Sequence, residues 1–418
     1  MKKIITFLVV GLFLVMNGYG QTAYIPNRGS NNVSVINVAT DSVIATIPVG
    51  GGPNCVTVSL DGSRVYVGNW DGFSVSEINT ATNTVISTIP MGINPDYIVV
   101  HPDGTRIYVT NSTELIAKDV TTWVYVAIMN GTTTGSVAVN PDGSKVYVAD
   151  EASNTIMVLN TTTNTISDTI IALCQPSAIC VSPDGSKIYV ASSSSSVVRV
   201  INTVTKSILA TISGGLSGPT GICISPDGTK VYVSNGGNGN GNKVSVINTA
   251  NNTISASIIV GQDPLGISIT PDGSKVYVAN GSSNTVSVIN TLTDTVSATI
   301  HVGVNPVAIG NFISNYTMTT SIPSQTNPTP TISIYPNPFS TSATLIINGG
   351  VETPLMASLQ TNSSLHIYNV LGEEVKTIPI NNQKQITINK DNLVDGMYFY
   401  KLISDKNETV GVGKMVID

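Results

Sequence analysis

The sequence predicts an all-β chain: a seven-bladed β-propeller of four-stranded blades, its ring closed by N- and C-terminal strands, followed by a small β-sandwich. Three observations carry that prediction. A tyrosine recurs in register seven times, each period holds four short apolar segments, and the first and last periods are incomplete in complementary ways.

The tyrosines are Tyr24, Tyr66, Tyr108, Tyr147, Tyr189, Tyr232 and Tyr277, at intervals of 42, 42, 39, 42, 43 and 45 residues. A fixed period of this size defines a repeat architecture before any local assignment is made. One unit, read from residue 264, contains GISIT, KVYVA, TVSVIN and TVSATIHV. Each segment is short, β-branched and bounded by Gly, Pro, Asn or Asp, with no helical spacing. Four antiparallel strands per unit, repeated around an axis, make propeller blades.

The ends of the array fit together. The chain enters with AYIPN, VSVINV and SVIATIPVG, the second, third and fourth strands of a unit, and leaves with NPVAIGNFI at 305–313, which matches the first. Pairing the last strand with the first three closes the ring and leaves no open edge at the seam.

PDG recurs at 102–104, 141–143, 183–185, 226–228 and 271–273, with LDG at 60–62, always between the first and second strands. Pro presets φ, Asp tolerates the second turn position and Gly accepts the left-handed conformation, so the triplet makes a bend. Asn37, Asn79, Asn160, Asn202, Asn248 and Asn290, with Asp119 in the divergent copy, end the third strand as turn formers. Arg64, Arg106, Lys145, Lys187, Lys230 and Lys275 open the second strand and read as a solvated rim partly neutralised by the turn aspartates.

With IYVTN at 107–111 and SNTVSVINT at 283–291, the units resemble the YVTN family of β-propeller repeats. The resemblance holds through seven copies over residues 22–313 and implies a fold found in exported and surface proteins. It supplies no catalytic motif, because one propeller fold hosts many functions.

Residues 1–20 carry Lys2 and Lys3, an apolar run and small residues Gly18 and Gly20, which predicts a cleavable export signal rather than a span. No comparable run follows, so no transmembrane segment is expected in the mature chain, whose propeller covers 21–313. Residues 314–331 have linker composition, and 332–418 alternate apolar segments with Gly and Asn turns as about seven sandwich strands.

YPNPF at 335–339, YNVLGEEV at 368–375, LVDGMYFYKL at 393–402 and GKMVID at 413–418 resemble the type A C-terminal sorting domain of the type IX secretion system. This resemblance implies that residues 332–418 engage the type IX machinery and its sortase. The chain would reach the periplasm, cross the outer membrane, lose the domain and be anchored at the cell surface or released.

Residues 21–313 hold 17 acidic and 11 basic side chains, an acidic balance that repels phosphate and argues against a nucleic-acid partner. Cys180 and Cys223 share one repeat position, filled elsewhere by Thr57, Val99, Ala138 and Ser268, while Cys55 and Cys174 lie outside it. They read as small packing residues rather than a disulfide framework.

His101, His301 and His366 have no second histidine at ligand spacing, and NGGNGNGNK at 235–243 lacks the aspartate of a calcium-binding glycine repeat. No cofactor or metal is therefore expected, and no catalytic residue is assigned.

Chemistry must then come from departures from the repeat. The loop joining strands two and three and the loop entering the next blade share a face. There Trp70, Phe73 and Tyr97 read as an aromatic platform, with Asp71, Asn94 and Asp96 as hydrogen-bonding partners. Aromatic faces beside polar edges suit a glycan or protein ligand. The alternatives are an enzyme in the central funnel, a lactonase-like hydrolase or a lyase, and a structural surface-layer component. The inner strands, mainly Ile, Val, Ala, Gly, Ser and Cys, argue against the enzyme.

Overall fold

A computed structural model describes residues 21–130, 134–314, 331–335, 337–348, 363–369, 373–380, 385–404 and 409–418. The export signal expected at 1–20 lies outside these residues, as do residues 315–330 of the linker expected at 314–331. The chain separates into two compact units, residues 1–319 and 320–418.

In the first unit, the seventh blade shows the pattern: Pro264–Ile269, Lys275–Asn280, Thr285–Asn290 and Thr295–His301, each antiparallel to the next. The same order repeats in the blades spanning 53–90, 97–130, 134–171, 178–212 and 219–259. The first blade has three named strands, Thr22–Asn27, Asn32–Asn37 and Ser42–Pro48. Residues 305–314 complete it: Pro306 bridges Asn27, Ile313 bridges Ala23, and Tyr24 N donates to Phe312 O at 2.9 Å.

The closing segment is not a plain strand. In its middle it leaves the first blade and bonds the second, with Val56 N donating to Ile309 O at 2.9 Å and Val58 N to Asn311 O at 3.1 Å. Positive φ at Ala308 (50°) and Gly310 (118°) makes that excursion, and a Cβ on Gly310 would collide with Val56 O. Gly266 N also donates to Val307 O at 2.9 Å, so the closing segment is bonded to the seventh, first and second blades.

The repeated tyrosines lie between blades: six are fully buried and Tyr66 is nearly so. Three of their hydroxyls bond the following blade, Tyr24 donating to Asn83 Oδ1 at 3.2 Å, Tyr232 to Asp294 Oδ1 at 3.3 Å and Tyr277 to Asp41 Oδ1 at 2.5 Å. Each acceptor sits in the turn between third and outer strands at positive φ, which Asn and Asp tolerate.

Three of the six basic residues opening the second strand, Arg106, Lys230 and Lys275, follow the same path, so for them the reading of a solvated rim neutralised by turn aspartates is corrected. Lys230 Nζ pairs with Asp294 and Lys275 Nζ with Asp41, both at 2.8 Å, and Arg106 Nη1 donates to Thr161 O at 2.7 Å. These three latch neighbouring blades, while the turn aspartates are engaged locally. Asp184, for example, accepts from Ser182 Oγ at 2.5 Å and Ser186 N at 3.0 Å, while Gly185 takes φ 69°. In the second blade the latch is replaced. Trp123 holds the positive-φ position, Tyr66 packs edge-on against its indole at 5.9 Å, and Arg64 turns to Glu77 in its own blade at 3.1 Å.

The third-strand asparagines form the local turns expected of them: Asn37 Oδ1 accepts from Ala39 N at 2.9 Å and Thr40 N at 3.1 Å.

In the second unit the described residues form seven strands in two sheets. One joins Thr331–Tyr335, Ser342–Asn348 and Gln385–Asn389; the other joins Glu374–Ile380, Ser363–Tyr368, Gly396–Ile403 and Thr409–Ile417. Alternation along the strands turns Leu345, Leu365, Ile367, Ile388, Leu402 and Met415 into a shared core, as a sandwich requires.

Candidate functional site

On one face of the propeller the loop after each second strand lies against the loop that enters each blade. Trp70 N donates to Gly52 O at 2.9 Å, and Gly72 N to Gly51 O at 3.0 Å. Gly52, at φ 60°, leaves room for the Asp71 carboxylate, which a Cβ there would overlap. Backbone contact between the two loops fixes the side chains above them.

Of the six residues singled out from sequence, three come together. Trp70 Nε1 donates to Asp96 Oδ1 at 2.8 Å, and Asn94 Nδ2 donates to Trp70 O at 2.8 Å. Asp71 lies beside Gly51 and Gly52. Phe73 is 50% exposed on the same turn, held at φ 49° while its carbonyl accepts from Met91 N at 2.8 Å. Tyr97 instead enters the channel, where its hydroxyl donates to Ser177 O at 3.0 Å, two blades away.

Two members of the site were missed. Arg28 places its guanidinium 4.8 Å from the centre of the Trp70 ring, a cation–π contact that covers one face of the indole. Glu151 lies close enough to Asp96 for their charges to interact. Burial pushes the Asp96 carboxyl up, offset partly by the Trp70 N–H and Arg28; burial and then Asp96 push Glu151 up. The Tyr97 phenol is raised by burial, then by Glu151 and Asp96.

A readable signal existed for both. Arg28, Trp70 and Glu151 hold one repeat position, four residues after the register tyrosine, where the other copies have Ser112, Ser193, Gly236 and Gly281. Tyr97 is likewise the one bulky side chain in a column otherwise made of Cys55, Ser136, Ala178, Gly221, Gly266 and Ala308. The large and charged departures thus gather on the arc formed by blades one to four.

The carboxylates give a pH prediction. In the turns, hydrogen bonds from Ser182 and Ser186 hold Asp184 down to about 2, and those from Ser225 and Thr229 lower Asp227. Such groups stabilise the fold above the unfolded carboxyl value of about 4, and that contribution is lost as pH falls through their folded values. Asp96, Glu151 and Asp263 are raised chiefly by burial, so the folded state binds the extra protons and gains stability as pH falls toward the unfolded carboxyl value of about 4. The melting temperature of the propeller is expected to peak between about pH 4 and 6 and fall on either side. A scan that rises steadily from pH 4 to 8 would contradict this assignment.

Among the described residues no group of three or more His, Cys, Asp or Glu is arranged to hold a metal, and no helix is long and apolar enough to cross a membrane. His101 is spent within the turns, its ring nitrogens 2.8 Å from Gly143 O and 2.7 Å from Asp103 Oδ1.

Fold and site together define a class: a seven-bladed β-propeller protein carrying a C-terminal sorting domain. Residues 333–418 match the secretion system C-terminal sorting domain, which directs the protein through type IX secretion to the outer cell surface or the medium. Residues 15–103 match the YNCE-like β-propeller, and residues 200–304 the lactonase, 7-bladed β-propeller.

No curated protein matches the chain. Among solved structures, it is similar to Kuenenia stuttgartiensis hydrazine synthase, at 20% identity and TM-score 0.58 over 69% of this chain and 100% of that one. It is also similar to a putative 6-phosphogluconolactonase from Bacteroides uniformis, at 19% identity and TM-score 0.60 over 69% and 98%. A third is dihydro-heme d1 dehydrogenase, at 17% identity and TM-score 0.51 over 89% and 75%. At such identities these likenesses concern the fold alone.

Proposed function

We propose that the propeller is an exported binding module whose ligand, a glycan or a protein loop, docks on the arc bearing Arg28, Trp70, Asp96, Tyr97 and Glu151. The observation that carries this reading is the asymmetry of the mouth. Blades one to four place aromatic and charged groups at positions that blades five to seven fill mainly with Ser, Gly, Ala and Thr. Binding residues sit on loops held by a rigid scaffold, and an indole beside carboxylates offers both an apolar face and hydrogen-bond acceptors for hydroxyls. After export, the type IX sortase removes residues 332–418 and the propeller is anchored or released.

The test is a glycan and matrix-protein array probed with the purified protein. The double variant Trp70→Ala, Tyr97→Ala is expected to weaken selective binding at least about 30-fold, the loss of a central aromatic hot spot. Retention of every ligand at unchanged affinity would sink the proposal.

A second reading rests on the Asp96 and Glu151 carboxyls, both raised by burial, Glu151 further by the Asp96 charge. Paired carboxyls of this kind can exchange protons with a substrate, which fits a lactonase-like hydrolase. Hydrolysis of a lactone panel abolished by Glu151→Gln, with array binding intact, would favour the enzyme.

A further inference from the structure

The central channel contains a cavity of about 420 Å³ that runs from Tyr97 at the loop face to the turn residues Pro226 and Pro271 at the other. Its wall is formed by the inner strands and includes Val99, Ala138, Cys180, Cys223, Ile267 and Ser268; none of its lining side chains is Asp, Glu, Lys, Arg or His. Cys180 stands opposite Tyr189 on the inner strand Ala178–Val181, and Cys223 opposite Tyr232 on Pro219–Ile224. The two thiols therefore occupy the same register of neighbouring blades and face one space.

We propose that Cys180 and Cys223 form a two-thiol site for one soft divalent metal ion, of the mercury(II) class, inside the channel. Thiolate sulfur selects soft ions, whereas zinc calls for four ligands that this cavity does not offer. Charge balance points to a divalent ion. Two S–H bonds break, two metal–sulfur bonds form and two protons leave to solvent, so M²⁺ with two thiolates is neutral, as an uncharged wall requires.

Both cysteines are free. An ion with metal–sulfur bonds of about 2.3 Å spans a gap much wider than a disulfide can. Burial holds both thiols protonated at neutral pH, and Cys223 raises Cys180 further, so binding strengthens as pH rises. Tyr97, tied to Ser177 O, lies across the loop-face end and leaves the Pro226 and Pro271 end as the way in. The site shares only Tyr97 with the arc of blades one to four, and its failure would leave that reading intact.

The experiment loads the reduced, reductant-free protein with one equivalent of mercury(II), challenges it with excess glutathione, and measures retained metal per chain after gel filtration. The parent is expected to retain about one ion, because a paired site outcompetes a free monothiol through effective concentration. Cys55→Ser, whose thiol is fully buried outside the cavity, should retain it equally. Cys180→Ser and Cys223→Ser should each hold it at least about 100-fold less tightly. Loss of the metal from the parent, or equal retention by either single channel variant, overturns the proposal.

Discussion

Replacing Gly310 with alanine is expected to open the ring, lowering the stability of the propeller by about 3 kcal/mol or more. Gly310 has φ 118°, a conformation reserved for glycine, and its missing Cβ makes room for Val56 O in the second blade. The obstacle is backbone rather than a flexible side chain, so relief requires the closing segment to lift off. Gly266 meets the same segment from the seventh blade, where a Cβ would collide with Ala308 O. Urea unfolding followed by tryptophan fluorescence reads this cleanly, since both tryptophans, Trp70 and Trp123, belong to the propeller. Gly92→Ala is the control: φ is 74° but nothing lies within 4 Å of the added carbon, so its cost is conformational, about 1 kcal/mol. Equal midpoints for the two variants would show that the collision at Gly310 is relaxed without cost.

Asp41→Ala strikes the other stitch of the seam and is expected to cost about 2–4 kcal/mol. Asp41 accepts from Lys275 Nζ at 2.8 Å and Tyr277 OH at 2.5 Å, linking the first blade to the seventh across 234 and 236 residues. Removing it leaves a half-buried ammonium and a buried phenol to share Val38 O as their remaining acceptor, and places alanine at φ 50°. Asp41→Asn should cost about half as much, because Asn83 already accepts from Tyr24 at the equivalent latch. Matching urea midpoints for parent and Asp41→Ala would mean that the closing segment alone holds the ring.

Both predictions depend on contacts whose partners are distant in sequence, and this explains what the repeat pattern disclosed. The turn of each PDG triplet was legible because everything it needs lies within a few residues: a polar side chain two places before the aspartate, an amide two places after it, and glycine at positive φ. The role of Lys230 and Lys275 was not, since an aspartate three residues upstream looks like the natural partner until its carboxylate is found already engaged.

The candidate site divides the same way. Trp70, Asn94 and Asp96 were legible as departures from a regular pattern, and adjacency of the two loop types follows from blade topology alone. That Trp70 N–H bonds Asp96, that Arg28 covers the indole, and that Glu151 approaches Asp96 from the fourth blade all require the ring to be closed. The direction of Tyr97 is likewise a property of the channel, for only the small residues around it leave a path to Ser177.

The sequence by itself determined the strand order within a blade, the number of blades, the closing of the first by the last, and the sorting domain. Periodicity and turn chemistry are local properties repeated many times, so noise in one copy is averaged out by the rest. Only the tertiary structure decided how blades grip one another, where the closing segment bulges, and which side chains meet over the channel. Those are contacts between copies, set by a rotation about an axis that no single repeat contains.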